Sequence, residues 1–173
     1  MNITLIGMPG AGKSFYGKLL AKELNYAFID IDALIEAEGM KISELIATQG
    51  DQAFNDKEAR KILDLHNLTN TIITPGGSCI YSDKAMQHLQ KISTIIYLNI
   101  PLEISTQRVS QRDARKETPI VGLKEKGWEA LYAERTPLYE KYAQITIAQS
   151  ITTTPEEVIT DILRQINSQP KHI

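Results

Sequence analysis

Eight consecutive residues near the start of the chain, Gly7-Met8-Pro9-Gly10-Ala11-Gly12-Lys13-Ser14, satisfy G-x-x-x-x-G-K-[ST] at every fixed position. Glycines at that spacing let the backbone wrap a phosphate chain with its N–H groups turned inward. The amino end of the helix that follows adds positive potential. Lys13 can then reach the β- and γ-phosphates of a nucleoside triphosphate, and the Ser14 hydroxyl can ligate Mg²⁺. A plain Gly/Pro turn would need neither side chain. Asp30 and Asp32 come next. Leaving a strand one residue apart, both point from the same face toward the phosphate end. One carboxylate can hold a hydrated Mg²⁺ and the other can take a proton from an attacking hydroxyl; a solvated acidic pair is the bland alternative. Gly76 and Gly77 suit either a backbone lying close to a ligand or an ordinary turn.

These residues need a scaffold, and the hydrophobic pattern supplies one. Apolar runs at 3–6, 27–31, 71–74, 94–98 and 144–148 are continuous and rich in Ile, as strands covered on both faces are. Amphipathic stretches at 18–24, 51–67, 82–90, 102–112, 124–142 and 155–166 read as helices. Ser82 before Asp83, and Thr154 before Pro155, are helix-start signals. Strands alternating with helices predict an α/β fold: a five-stranded, parallel sheet flanked by helices in three layers. In such sheets ligands bind at the carboxyl ends of strands, so the helices and loops at 33–67 fall to an acceptor.

The 173 residues suit one domain spanning 1–173, with little room for the extra machinery of a motor. Nineteen Lys and Arg against 21 Asp and Glu argue against a nucleic-acid binder but allow a local basic pocket. A single cysteine, Cys79, excludes an internal disulfide or a cysteine-rich zinc site, and a buried inert thiol is its expected state. His66, His88 and His172 lie far apart in sequence with no ligand spacing. No apolar run nears the ~18 residues of a membrane span, and the first strand has no cationic leader before it. The expectation is a cytoplasmic monomer without membrane or nucleic-acid partners. Trp128 reads as a packing anchor.

Beyond the phosphate loop, the chain resembles the shikimate kinases over nearly its whole length. Phe28-Ile29-Asp30-Ile31-Asp32 resembles that family's D-x-D at the end of the second strand. Ile35-Glu36, Gly39, Ile42, Glu44-Leu45-Ile46 and Gly50-Asp51-Gln52-Ala53-Phe54 follow in the family's order. Pro75-Gly76-Gly77 resembles its glycine turn, and Arg135-Thr136-Pro137-Leu138-Tyr139 its R-x-P-L-Y segment. The resemblance implies a P-loop kinase that binds ATP and Mg²⁺ and phosphorylates a small hydroxylated acceptor, nominally shikimate to 3-phosphoshikimate. It assigns Gly7, Gly10, Ala11, Gly12, Lys13 and Ser14 to the nucleotide, with Arg108 on the adenine and Pro155 over its other side. It assigns Ser14 and Asp30 to the metal. The acceptor falls to Asp32, Gly76, Gly77, Arg135, Glu58 and the position held by Asn55. Residues 109–122 become a lid.

Three positions depart from the family's pattern. Its F-R-x-x-E is Phe54-Asn55-Asp56-Lys57-Glu58 here, so an arginine expected on the acceptor carboxylate is Asn55 and Glu58 loses that partner. The third glycine of the turn is Ser78, and the lid's R-P-L-L is Thr118-Pro119-Ile120-Val121. Arg112, Arg115 or Lys116 could supply the lid cation, Arg115 being the candidate catalytic residue. Losing one charge-assisted contact costs about 1.5–3 kcal/mol. Three readings therefore stay open: a shikimate kinase, the same chemistry on another hydroxylated acid, or a nucleotide-binding module without transfer.

Overall fold

The computed structural model describes residues 1–114 and 119–168, for 112–114 the backbone alone. Five strands form one wholly parallel sheet: β1 (Ile3–Ile6), β2 (Ala27–Asp30), β3 (Thr71–Thr74), β4 (Thr94–Asn99) and β5 (Ile145–Ala148), in the order β2-β3-β1-β4-β5. All four residues of β1 and of β3 are buried, which is why their apolar runs are continuous. At the edge, β5 alternates buried and exposed.

Helices cover both faces. On one side α1 (Lys13–Leu24) and α8 (Pro155–Ser168) pack over Ile3, Leu5, Ile72, Ile96 and Ile147. On the other, α2 (Ile31–Glu36), α3 (Ile42–Leu63), α4 (Asp83–Ile92) and α7 (Trp128–Tyr142) enclose a second core around Ile6, Ile73, Ile95 and Tyr97. The remaining helices are α5 (Leu102–Ala114) and the one-turn α6 (Leu123–Lys126). No described helix is long and apolar enough to cross a membrane.

Several boundaries differ from the sequence-based expectation. The first helix begins at Lys13 rather than at 18, so the last two motif residues already belong to it. Strand β2 ends at Asp30, and Ile31 and Asp32 open α2. The helix expected from 51 starts at Ile42 and bends at Gly50, whose φ of 82° and ψ of 172° interrupt the helical pattern there. The single helix expected over 124–142 is broken at Gly127 (φ 76°, ψ 164°) into α6 and α7. Both predicted helix starts are present: Ser82 accepts from the Ala85 N–H, and Thr154 and Glu157 exchange backbone N–H bonds as a capping box. Cys79 is buried, and burial, with Glu58 nearby, pushes its thiol well up. His66 and His88, far apart in sequence, meet edge to face with ring centroids 5.5 Å apart, and His88 bonds the Leu65 carbonyl; among the described residues they gather no third ligand.

Candidate active site

The carboxyl ends of β1, β2 and β3 open into one cleft. Its wall includes Pro9, Gly10, Gly12, Lys13 and Ser14 from the phosphate loop, Asp30 and Asp32 from the β2–α2 junction, Pro75 to Ser78 after β3, and Arg135 from α7. Pro119, Ile120 and Val121 close one side. Residues scattered over more than a hundred positions thus share one wall, as parallel topology requires.

Local backbone chemistry builds the phosphate end. Gly12 sits at φ 89° as the cap of α1 and supplies no side-chain hydrogen bond, so the first amides of that helix are left for a ligand. A Cβ there would lie 2.7 Å from the Tyr16 ring. Lys13 Nζ donates to the carbonyls of Gly7 (2.9 Å) and Met8 (3.3 Å), holding the loop from within. Arg108 Nη1 donates to the Gly10 carbonyl at 2.6 Å, which fixes α5 against the loop. Buried Gln149, just past β5, donates to the Ala11 carbonyl (3.3 Å) and accepts from the Tyr16 hydroxyl (3.4 Å). Nothing in the sequence marks Gln149 beyond a polar residue directly after the edge strand β5.

Asp30 and Asp32 are placed by a helix start and not by strand alternation. Asp30 caps α2 through Oδ1, accepting from Ala33 N at 3.3 Å, while its Oδ2 accepts from Ser14 Oγ at 2.8 Å. Asp32 lies in the first turn of α2, against Gly76. Two hard oxygens 2.8 Å apart match the roughly 3 Å edge of an octahedron built on ~2.1 Å bonds, so Ser14 and Asp30 fit Mg²⁺.

The far wall is cationic. Arg135 is only 1% exposed, and its hydrogen bonds go to uncharged oxygens: Nη2 to the Val121 carbonyl at 2.8 Å and Nε to the Tyr81 hydroxyl at 3.1 Å. Among the described residues no carboxylate lies within ion-pair distance of it. One turn later Tyr139 donates to the Gly77 carbonyl at 2.6 Å, tying α7 to the glycine turn. Glu58 is buried beneath that turn at 1% exposure, and Ser78 Oγ donates to its Oε2 at 2.9 Å. Burial, and next the charge of Asp32, push the Glu58 carboxyl up to about 7; the Ser78 hydroxyl, the Gly76 amide and Lys13 pull the other way.

Not every expected residue reaches the cleft. Asn55 lines a neighbouring cavity of about 200 Å³ with Ser78, Cys79 and Tyr81. Exposed Pro155 opens α8 away from the wall, and Arg108 grips the loop from behind. Of the expected lid, residues up to Ala114 continue α5, while Gly122 N donates to Asp51 Oδ2 at 2.6 Å. Arg115, Lys116 and Thr118 lie outside the described residues, as does the side chain of Arg112.

The shikimate kinase profile matches residues 9–167. The chain belongs to the shikimate kinase family. The shikimate kinase of Microcystis aeruginosa is 34% identical over 167 residues, covering 96% of this chain and 86% of that one. That of Thermodesulfovibrio yellowstonii is 35% identical over 169 residues, 95% and 94% of the two chains. Among solved structures, the Acinetobacter baumannii shikimate kinase in complex with shikimate superposes with a TM-score of 0.84 at 29% identity, over 96% of this chain and 93% of that one. Membership supports ATP as the nucleotide, and the fold is the one shared with the Acinetobacter baumannii shikimate kinase.

Proposed function

We propose that this chain transfers the γ-phosphoryl group of ATP to a hydroxyl of shikimate, giving 3-phosphoshikimate and ADP. The observation that carries this reading is Arg135: a buried guanidinium on the wall of the phosphate-loop cleft, bonded only to neutral oxygens. Such a group has paid its desolvation and still has donors directed at a planar carboxylate. An acid seated on Arg135 presents its hydroxyls to Asp32 across the glycine turn.

The roles follow from position. The open amides of α1 and the loop cradle the triphosphate, and Lys13 moves from its own loop carbonyls to the phosphate oxygens. Ser14 and Asp30 would hold Mg²⁺, which would supply positive charge beside the phosphates. Asp32 accepts the proton of the attacking hydroxyl. Gly76 and Gly77 let the acceptor lie against bare backbone, and Arg135 fixes its carboxylate. Arg108 steadies the nucleotide end of the loop. Pro119 to Val121 exclude water from one side. The lid cation falls to Arg112, Arg115 or Lys116, with Arg115 the candidate catalytic residue.

The test is ADP release with ATP and Mg²⁺ in the presence of shikimate, of other hydroxylated acids, and of none. Shikimate-dependent ADP and a phosphorylated product are expected. ADP released only with a different hydroxy acid, or nucleotide binding without transfer to any, would overturn the assignment.

A further inference from the structure

Two of the three departures from the family pattern meet in space. Asn55 and Ser78 line the same small cavity, and Ser78 also lines the main cleft, so it is the wall between them. Asn55 precedes Glu58 by one helical turn on α3, and Ser78 Oγ donates to Glu58 Oε2 at 2.9 Å, with Ser78 4% and Glu58 1% exposed. Asn55 Oδ1 is buried with no hydrogen-bond partner, and among the described residues no side-chain hydrogen bond joins Asn55 to Glu58, which is held by the Ser78 hydroxyl. Glu58 in turn supports the acceptor floor: a Cβ on Gly76 would stand 2.5 Å from Glu58 Oε1 and 3.1 Å from Asp32 Oδ1.

We propose that Ser78 is a positioning residue of the acceptor site: where an arginine is absent at position 55, its hydroxyl holds the buried Glu58 side chain and through it the glycine turn under the acceptor. The acceptor named here rests on the function proposed above; the Ser78–Glu58 linkage does not. A neutral hydroxyl can do this work because the carboxyl beside it does not need a full counter-charge. Buried beside Asp32, it holds a proton well above the ordinary carboxylate range. Among the described residues, the titratable groups acting on it are Asp32 from α2, Lys13 from α1 and Cys79 from the short 3-10 helix Cys79–Tyr81, with Arg135 acting on that same thiol. A hydroxyl donor to the ionised form lowers the carboxyl's pKa, so its removal must raise it.

Two measurements decide the matter. The first is infrared titration of the carboxylic-acid C=O band, assigned as the band missing from Glu58→Gln. In the native protein it should titrate near pH 7, and in Ser78→Ala it should titrate at higher pH. An identical titration in both would overturn the linkage, whatever the acceptor. The second is a kinetic cycle with shikimate. Ser78→Gly should raise the KM for shikimate about tenfold in the native background and less than about twofold in the Asn55→Arg background, with KM for ATP unchanged. Equal costs in the two backgrounds would overturn the compensation. Ser78→Ala replaces Ser78→Gly in the cycle if the glycine variant does not fold. A native protein inert toward shikimate would instead sink the acceptor assignment, and the infrared result would still decide the pair.

Discussion

Ser14 Oγ and Asp30 Oδ2 stand 2.8 Å apart, joining the first turn of α1 to the end of β2, while the second oxygen of Asp30 caps α2. One carboxylate therefore serves a helix start and the proposed metal site, and two substitutions separate the duties. Asp30→Asn keeps an amide oxygen able to cap but removes the charge. It should lower kcat by roughly 100-fold and raise the Mg²⁺ concentration for half-activity, with melting temperature little changed. Asp30→Ala should show the same kinetic loss and a further ~1 kcal/mol of instability. A Mg²⁺ titration of ADP release that is unaltered in Asp30→Asn would take Asp30 out of the metal site.

Lys13→Ala tests the phosphate loop. Its ammonium bonds two carbonyls of its own loop and takes no part in either apolar core, so folding should survive. Transfer should fall by roughly 1000-fold or more, because charge on the transferring group loses its nearest fixed cation. Circular dichroism and ADP release check the two halves; native turnover in a folded variant would remove Lys13 from the reaction.

The parts of this protein that were legible in its sequence are those set by local chemistry. The phosphate loop announces itself because Lys13 and Ser14 have no use in an ordinary turn, and the buried strands because both faces need apolar residues. What escaped was set by tertiary packing. Asp30 and Asp32 line one cleft, but not through strand alternation: the chain leaves β2 one residue early and a helix start does the aiming. Gly50 bends α3 instead of preceding it, a distinction that apolar spacing cannot make. Ser78 looked like a lost glycine until Glu58 was seen 2.9 Å from its hydroxyl. Gln149 carried no motif, and only its bond to the Ala11 carbonyl reveals it.

Gly76→Ala should be costly at the acceptor floor. The added methyl would stand 2.5 Å from Glu58 Oε1 and 3.1 Å from Asp32 Oδ1, both short side chains fixed by α3 and α2. Displacing them should cost about 1–3 kcal/mol of stability and raise the KM for shikimate more than that for ATP. Gly39→Ala is the control: nothing lies within 4 Å of its Cβ position, so only the strain of its φ of 96° remains, about 1 kcal/mol. Equal losses at both sites, with unchanged acceptor KM, would mean that the floor gives way freely.

Glu58 should make the fold itself sensitive to pH. Burial first, then Asp32, raises its carboxyl from 4.5 to about 7, so between those values the native state holds a proton that the unfolded chain has released. Stability rises with pH only where the unfolded state binds more protons; here the native state binds more, so stability falls. Its contribution is level below about 4.5, declines up to about 7, and levels again above it. A shift of this size corresponds to a loss of about 3 kcal/mol across that window. Glu58→Gln cannot ionise, so its urea-unfolding free energy should lack this decline and should overtake the native protein's as pH rises toward 8. Ser78→Ala should leave the start of the decline in place and extend its end to higher pH, because the hydroxyl that favours the ionised form is gone. Parallel stability curves for the native and Glu58→Gln proteins from pH 5 to 8 would mean that the carboxyl titrates alike in the folded and unfolded chains.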